Sequence, residues 1–307
     1  MKENILITGV AGFIGSNIAK KFIKEGYKVF GVDDLSNGAQ ENVPQEVIFH
    51  KVDLSQNNPL NDLIIDSPLI LHLAGQSSGE ISFEDPINDL QKNTSSTLNL
   101  IQYGIKNNAS KLIYASSMSV YGEAGDEPIS EINLRNPLSC YGISKLASEN
   151  YLRVFSNYLP YVSMRMFNVY GPGQDLNNLK QGMVSIYVAQ ALRNKNICVK
   201  GELNRFRDFI YIDDVVEAWF KASLMNKVSN VSINIGTGKR TSVEDLLSLI
   251  LKKIPESKYF IEDNTPGDQK GIYSNNSLMK NLIGLKEFTS LESGLNKFID
   301  YIIKNKS

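Results

Sequence analysis

Short apolar runs alternate with longer stretches of helical spacing through the first 167 residues or so of the chain. Asn4-Ile5-Leu6-Ile7-Thr8 has strand length, and Ile18, Phe22 and Ile23 then recur at helical intervals through residues 17–25. Residues 27–32, 47–52 and 69–73 predict three more strands. Residues 86–107 carry Leu90, Leu98, Ile101 and Ile105 at helical spacing, 111–115 predict a fifth strand, 141–157 a helix and 161–167 a sixth strand. Strands and helices alternating at these lengths predict an α/β fold: a doubly wound parallel sheet, with ligands at the carboxyl ends of its strands.

Beyond residue 172 the pattern changes. Residues 179–192 predict a helix, 197–200 a short strand, and 207–214 a strand entering a helix that runs to Met225. A strand follows at 232–235, then a helix at 241–253 opening with the capping-box spacing Thr241-Ser242-Val243-Glu244. Pro266-Gly267-Asp268 predicts a turn and 291–303 a terminal amphipathic helix. The chain thus divides into residues 1–172 and a smaller lobe, 173–307, interleaved with the sheet through a returning segment at about 208–240.

Candidate chemistry gathers on the carboxyl edge of the predicted sheet. Gly9, Gly12 and Gly15 follow the first strand and open the first helix. Glycines there permit a tight turn and a close backbone approach to a pyrophosphate, and the helix N-terminus adds N–H donors and a partial positive charge. Asp33, followed by Asp34, ends the second strand roughly twenty residues later, where an acid accepts from adenosine ribose hydroxyls and repels a 2′-phosphate. NAD is therefore expected rather than NADP. Leu35-Ser36-Asn37-Gly38 is a turn near the same pocket, and the small residues of Ala74-Gly75-Gln76-Ser77-Ser78-Gly79 let backbone lie against a ligand after the fourth strand. His72 reads as a packed strand histidine, since its neighbours are apolar.

The fifth strand delivers Ser116-Ser117-Met118-Ser119, and Tyr141 and Lys145 stand four apart in the following helix, on one face. At roughly 4 Å and an effective dielectric of about 20, an ammonium stabilises a phenolate by about 4 kcal/mol before desolvation. That is enough to bring a phenol toward neutral pH, where it acts as a general base.

Composition removes other classes. A formal net charge of −1 with interspersed signs gives no field for nucleic acid or an anionic membrane. The apolar runs fall short of a membrane span, and the N-terminus enters a strand without the pattern of a secretory signal. Cys140 and Cys198 are far apart and lack ligand spacing, so neither a disulfide framework nor a metal site is expected, and a reducing cytoplasm fits. With 42% hydrophobic residues in 307, the chain can bury a large core.

Gly9-x-x-Gly12-x-x-Gly15, Asp33, Asp53-Leu54, His72-Leu73-Ala74-Gly75, Asn93, the Ser117 strand end and Tyr141-x-x-x-Lys145, with Phe167-Asn168-Val169-Tyr170-Gly171-Pro172 and Arg207-Asp208-Phe209-Ile210-Tyr211-Ile212-Asp213-Asp214, resemble the extended short-chain dehydrogenase/reductase family, in particular its NAD-dependent nucleotide-sugar epimerases and dehydratases. The resemblance spans nearly the whole chain. It implies a Rossmann sheet with a C-terminal substrate-binding lobe, NAD as cofactor and a nucleotide-sugar substrate. It implies Tyr141 as the base at a sugar hydroxyl, usually at C4, Lys145 lowering the Tyr141 pKa and holding the nicotinamide ribose, and Ser117 holding the sugar oxygen. Residues 9–15, with Phe13 and Ile14, would hold the pyrophosphate; Asp33, Asp34 and Asn37 the adenosine ribose; Asp53 and Leu54 the adenine. Leu73, Ala74, Gly75, Asn93 and Ser116 would line the cofactor, and Ser77, Ser78, Ser119, Asn168 and Arg207 the sugar diphosphate. It also implies a homodimer formed through a four-helix bundle of the 86–107 and 141–157 helices.

Two departures narrow the reaction. Sugar 4,6-dehydratases that resemble this chain carry an Asp-Glu pair directly after the serine; here Met118 and Ser119 stand there. Neither shuttles a proton, which disfavours dehydration, and the missing glutamate also counts against the decarboxylating relatives. A C4 epimerase or a one-way C4 oxidoreductase remains, while intact Ser117, Tyr141 and Lys145 count against a non-catalytic dinucleotide-binding protein. Asp263, Asn264 and Thr265 replace the arginine that many epimerases place before the Pro266-Gly267-Asp268 turn, so either Lys270 substitutes for it or the nucleotide is bound differently, and the usual UDP preference does not follow.

Overall fold

The computed structural model describes residues 3–180, 182–225, 227–263 and 270–305. Its first part runs β1 (Asn4–Thr8), α1 (Phe13–Lys24), β2 (Lys28–Asp33), β3 (Ile48–Lys51), β4 (Leu69–His72) and α2 (Gly79–Glu84). Then α3 (Pro86–Leu90), a π turn (Gln91–Ser95) and α4 (Ser96–Lys106) run as one helix into β5 (Lys111–Ser117), α5 (Cys140–Val154) and β6 (Tyr161–Met166). The remainder is β7 (Asn168–Tyr170), α6 (Met183–Asn194), β8 (Asn196–Lys200), β9 (Phe206–Arg207), β10 (Phe209–Tyr211), α7 (Ile212–Leu224), β11 (Val231–Ile235), β12 (Thr241–Ser242), α8 (Val243–Lys253), β13 (Lys258–Glu262), β14 (Gly271–Ile272), α9 (Ser277–Leu282) and α10 (Leu291–Asn305).

The expected doubly wound sheet is present: seven parallel strands in the order β11-β6-β5-β4-β1-β2-β3. The chain winds outward from β1 in one direction, then restarts at β4 in the other, so the crevice between the ends of β1 and β4 is the topological switch point. One face of the sheet packs Ile18 and Phe22 of α1 with Val215, Ala218 and the fully buried Trp219 of α7. The other packs Leu100 and Ile101 of α4 with Leu152 of α5. A separate core of Val184 and Val188, Leu246 and Ile250, and Phe298 and Ile299 joins α6, α8 and α10. No helix among the described residues is long and apolar enough to cross a membrane.

Several boundaries differ from the sequence expectation for identifiable reasons. The first helix begins at Phe13, not residue 17, because Gly12 is its N-cap and Gly15 and Ser16 carry no apolar signal. The helix expected from 179 starts at Met183, after Gly182 at φ +88°. The capping box lies one residue later than Thr241-Ser242-Val243-Glu244 suggests: Ser242 Oγ accepts from the Asp245 N–H at 3.0 Å and Asp245 Oδ2 accepts from the Ser242 N–H at 3.1 Å, while Thr241 pairs with Arg207 as strand. The 207–214 strand is split at Asp208, whose fully buried carboxylate accepts from the backbone of Thr237, Gly238 and Ser274 and from the hydroxyls of Thr237 and Ser274. The helices α2 and α9 and the strand β13 were not anticipated, and the expected 266–268 turn lies outside the described residues.

A buried ion pair ties the catalytic edge of the sheet to α5. Arg165 on β6 donates to Glu149 on α5 twice, Nη2 to Oε2 at 2.6 Å and Nε to Oε1 at 2.9 Å. Ser116 Oγ donates to the same carboxylate at 2.5 Å, and Arg165 Nη1 donates to Tyr121 OH, which donates to Asn234 Oδ1 on β11. Both charged side chains are at most 4% exposed. Removing one partner of such a pair strands the other charge, at a cost of about 3–5 kcal/mol. We therefore expect Glu149→Ala to lower the urea unfolding free energy by about that much, and Ser116→Ala by about 1 kcal/mol. An unchanged midpoint for Glu149→Ala in equilibrium denaturation would contradict this.

Candidate active site

The turn after β1 is shaped by backbone contact. Gly9 adopts φ +71°, and a Cβ there would lie 2.6 Å from the Ala74 nitrogen; a Cβ on Gly15 would run into the Gly9 carbonyl. Gly12 caps α1 with no side-chain hydrogen bond, and no acid occupies the first turn where Phe13 and Ile14 lie half-buried. The first N–H groups of α1 are therefore left without an acidic partner in that turn, which suits them to an anion.

At the end of β2, Asp33 is buried and tied to this turn: Oδ2 accepts from the Ala11 N–H at 3.0 Å and Oδ1 from the Leu35 N–H at 2.9 Å. Burial pushes its carboxyl up, against those hydrogen bonds. Lys92 of the π turn bridges Asp34 at 2.7 Å and Asp53 at 2.8 Å. Burial raises both carboxyls, but the hydrogen bonds from Lys92 and from Ser36 and Ser55 bring them below the ordinary range. Lys92 was not picked out from the sequence. Asn37 is exposed in the loop beyond. The Leu54 side chain, expected at the adenine, is instead in the core beside Leu60 and Ile65, where the 2.0-residue strand period after β3 has given way to a turn.

After β4 the half-buried Leu73 and Ala74 lead to Gly75, at φ +154°. A Cβ on Gly75 would collide with Asn93 Oδ1 and lie 3.5 Å from Lys145 Nζ. Asn93 stands in the π turn, a distortion that often marks functional sites. It is 1% exposed; its Nδ2 donates to Asp89 at 3.0 Å, while its Oδ1 is buried with no hydrogen-bond partner among the described residues. A buried acceptor left open beside a glycine cradle fits a bound dinucleotide. His72 is neutral and structural: Nδ1 meets Thr8 Oγ1 at 2.8 Å and Nε2 meets Thr97 Oγ1 at 3.0 Å, with burial and then Lys145 holding its pKa down to about 3.

Ser117, Tyr141 and Lys145 are brought together. Strand alternation turns Ser116 and Ser117 to opposite faces. The Ser116 side chain is thereby committed to Glu149 instead of lining the cofactor groove as expected, and Ser117 faces the crevice. Ser117 Oγ donates to Ser119 Oγ and accepts from the Ser119 N–H, both at 3.1 Å. Ser139 caps α5, accepting from the Gly142 N–H at 3.1 Å, so Tyr141 sits in the first turn with Lys145 one turn on. Lys145 Nζ lies 5.6 Å from the Tyr141 ring centroid and 5.0 Å from that of Tyr114. Desolvation lowers the Lys145 pKa to about 8, with Asp89 pulling it back up. Desolvation pushes Tyr141 up to about 12, against a hydrogen bond from Ser117 and with Asp89 adding to the rise. The phenol is thus not brought toward neutrality in the protein alone, because desolvation dominates at Tyr141.

On the lobe side, Asn168 Nδ2 donates to the Asp208 carbonyl at 3.2 Å and reaches Met118 Sδ at 3.6 Å, next to Ser117. Arg207 is buried, with Nη1 donating to the carbonyls of Phe206 at 2.8 Å and Lys270 at 3.4 Å. Ser77 is exposed; Ser78 is buried and spent as the cap of α2, accepting from the Ile81 N–H, so it is not open to a ligand as expected. Lys270, the substitute grip, is exposed and pairs at 3.7 Å with Asp126, which also meets Arg240 at 3.8 Å. The sequence reading missed Asp89, which lies at the centre of the crevice; its place four residues before Asn93, on one helix face, was the available signal.

A family model described as "NAD dependent epimerase/dehydratase family" matches residues 5–236. A putative UDP-glucose 4-epimerase of Methanocaldococcus jannaschii is 34% identical, over 98% of this chain and 99% of its own. Among solved structures, the UDP-glucose 4-epimerase of Thermotoga maritima with UDP-glucose superposes with a TM-score of 0.91 at 33% identity, covering 99% of this chain and 100% of that one. The Thermus thermophilus UDP-glucose 4-epimerase complex with NAD gives 0.89 at 29% identity, covering 98% and 99%.

Asp33 offers a direct check of the dinucleotide groove. Replacing it with alanine removes the negative charge that opposes a 2′-phosphate. Competition between NAD and NADP is expected to shift toward NADP by at least tenfold; unchanged discrimination would show that Asp33 is not the selecting group.

Proposed function

The chain belongs to the NAD-dependent epimerase/dehydratase family, and on that premise we propose that it is a nucleotide-sugar 4-epimerase. In this reading residues 1–172 bind the cofactor and the lobe of 173–307 covers the substrate. The observation that carries the reading is the gathering of Ser117 at the end of β5 with Tyr141 and Lys145, one helical turn apart on α5, with a thioether and a hydroxyl following Ser117 in place of an acid pair.

When bound, NAD supplies the hydride acceptor and donor at C4. Gly9 to Gly15 would hold its pyrophosphate, Asp33 its adenosine ribose, and Asn93 and Lys145 its nicotinamide end. Ser117 donates to the sugar oxygen at C4 and Tyr141 takes the hydroxyl proton as the carbonyl forms. At neutral pH Tyr141 is protonated in the chain alone, so the base form is expected only once the groove is filled. The 4-keto sugar then turns over within the crevice, and Tyr141 returns the proton as C4 is reduced on its other face. Asn168 and Arg207 are the groups on the lobe side suited to the sugar diphosphate, the arginine by its planar fork. Met118 and Ser119 cannot exchange a proton with C5 or C6, which favours return of the hydrogen to C4 over loss of water.

We further infer that the enzyme is a homodimer of cytoplasmic type. Ile87 and Leu90 of α3 and Ile143, Tyr151 and Val154 of α5 are all at least 40% exposed, forming an apolar stripe on adjacent helices. Such a stripe suits a bundle with its own copy.

Incubation with a panel of UDP- and GDP-sugars is expected to interconvert C4 stereoisomers with no net rise in reduced-nicotinamide absorbance; stoichiometric reduced cofactor would instead indicate a one-way C4 oxidoreductase. Tyr141→Phe should lower the rate roughly 10²–10⁴-fold, and full activity in that variant would remove the mechanism. Sedimentation should give twice the chain mass for the native protein and the single-chain mass for an Ile143→Asp, Val154→Asp double variant; a monomeric native protein would refute the dimer.

A further inference from the structure

Asp89 is an acid on α3 with no exposed surface. Three side chains from three other segments donate to it: Gln76 Nε2 and Asn93 Nδ2 to Oδ1, each at 3.0 Å, and Ser144 Oγ to Oδ2 at 2.6 Å. Gln76 comes from the loop after β4, Asn93 from the π turn and Ser144 from α5, one residue before Lys145. Because the carboxylate takes the Nδ2 end of Asn93, the amide oxygen is turned to the other side. There it is buried and unpartnered, against the backbone of Gly75, where the Lys145 ammonium also abuts.

We propose that Asp89 is the positioning residue of the redox crevice: it fixes the amide of Asn93 with its acceptor presented to the cofactor, and sets a negative charge behind Lys145 that keeps the lysine an ammonium. This deepens the epimerase reading and rests on it for what the crevice binds. The groups that face Lys145 are few. Asp89 approaches from α3, the neutral His72 from β4, the Tyr114 ring from β5 and Tyr141 from α5 itself. Burial raises the Asp89 carboxyl itself, against the hydrogen bonds from Ser144, Asn93 and Gln76 and the charge of Lys145; as the carboxylate it opposes the desolvation that drives the amine toward its neutral form. A carboxylate serving only to stitch helices together would hold Gln76 and Ser144 equally well without affecting the protonation of Lys145.

The test separates charge from position. The enzyme as isolated is labelled with ¹³Cε-lysine, and the Lys145 resonance, assigned with Lys145→Met, is followed against pH. Asp89→Asn keeps the shape and removes the charge; the Lys145 midpoint is expected to fall by about one pH unit, because an amine without its counter-charge gives up its proton more readily. Asp89→Glu keeps the charge on a longer arm. It is expected to leave the midpoint within a few tenths of a unit, while cofactor retained through purification drops severalfold as Asn93 loses its fixed orientation. A folded Asp89→Asn protein with an unmoved Lys145 midpoint overturns the charge role, and a folded Asp89→Glu protein with full cofactor content overturns the positioning role. Should neither variant fold, Ser144→Ala loosens the same carboxylate from outside, and unchanged cofactor content there overturns the proposal. None of these readings needs a sugar substrate, so an inactive substrate panel would reject the epimerase reading without touching this one.

Discussion

Loss of water around two ionisable side chains is the constraint that the crevice is built to meet. The half-buried Tyr141 and the buried Lys145 stand one helical turn apart on α5, and desolvation drives each toward its neutral form. For the amine this brings the proton within reach of physiological pH; for the phenol it does the reverse. A surface Tyr–Lys pair would feel neither effect. The ionisation of the two therefore depends on which third groups enter the same space.

The surrounding structure supplies those groups through buried polar hubs. Glu149 and Arg165 clamp α5 against β5, β6 and β11 behind Ser117, so the carboxyl end of β5 and the helix bearing Tyr141 keep one relative position. Asp208 does the same on the lobe side, breaking a strand in two and tying it to Thr237 and Ser274 while its carbonyl accepts from Asn168. Such hubs cost desolvation and are tolerated because every lone pair is used. Glycines complete the frame: Gly9 and Gly15 let backbone pack where any Cβ would collide.

The sequence displayed what depends on local pattern. The strand, glycine turn and helix at the start of the chain, the parallel sheet and the serine, tyrosine and lysine could all be read from spacing. What escaped depends on partners distant along the chain. Asp89 in a helix looks like a solvated acid until Gln76 and Ser144 are folded onto it. Ser116 and Ser117 look alike until alternation sends one to Glu149 and the other to the crevice. Ser78 reads as a ligand group until α2, too short to show a period, claims it as a cap. The direction of the Tyr141 shift was also out of reach, because desolvation is a property of the assembled fold.

The placement of acids also bears on the reaction. A dehydration or decarboxylation at the sugar needs a proton carrier beyond Ser117, and the position immediately after it is filled by Met118, whose sulfur is engaged by Asn168. Asp89 is a buried carboxylate to be considered as a replacement, yet three donors are already bound to it. To deliver a proton it would have to break the contact that orients Asn93, and its negative charge would be lost to Lys145 in the same act. An acid so held can shape the field around Lys145 but is poorly placed to give up a proton. That restraint is consistent with the proposed reading, in which one hydrogen moves off and back at a single carbon.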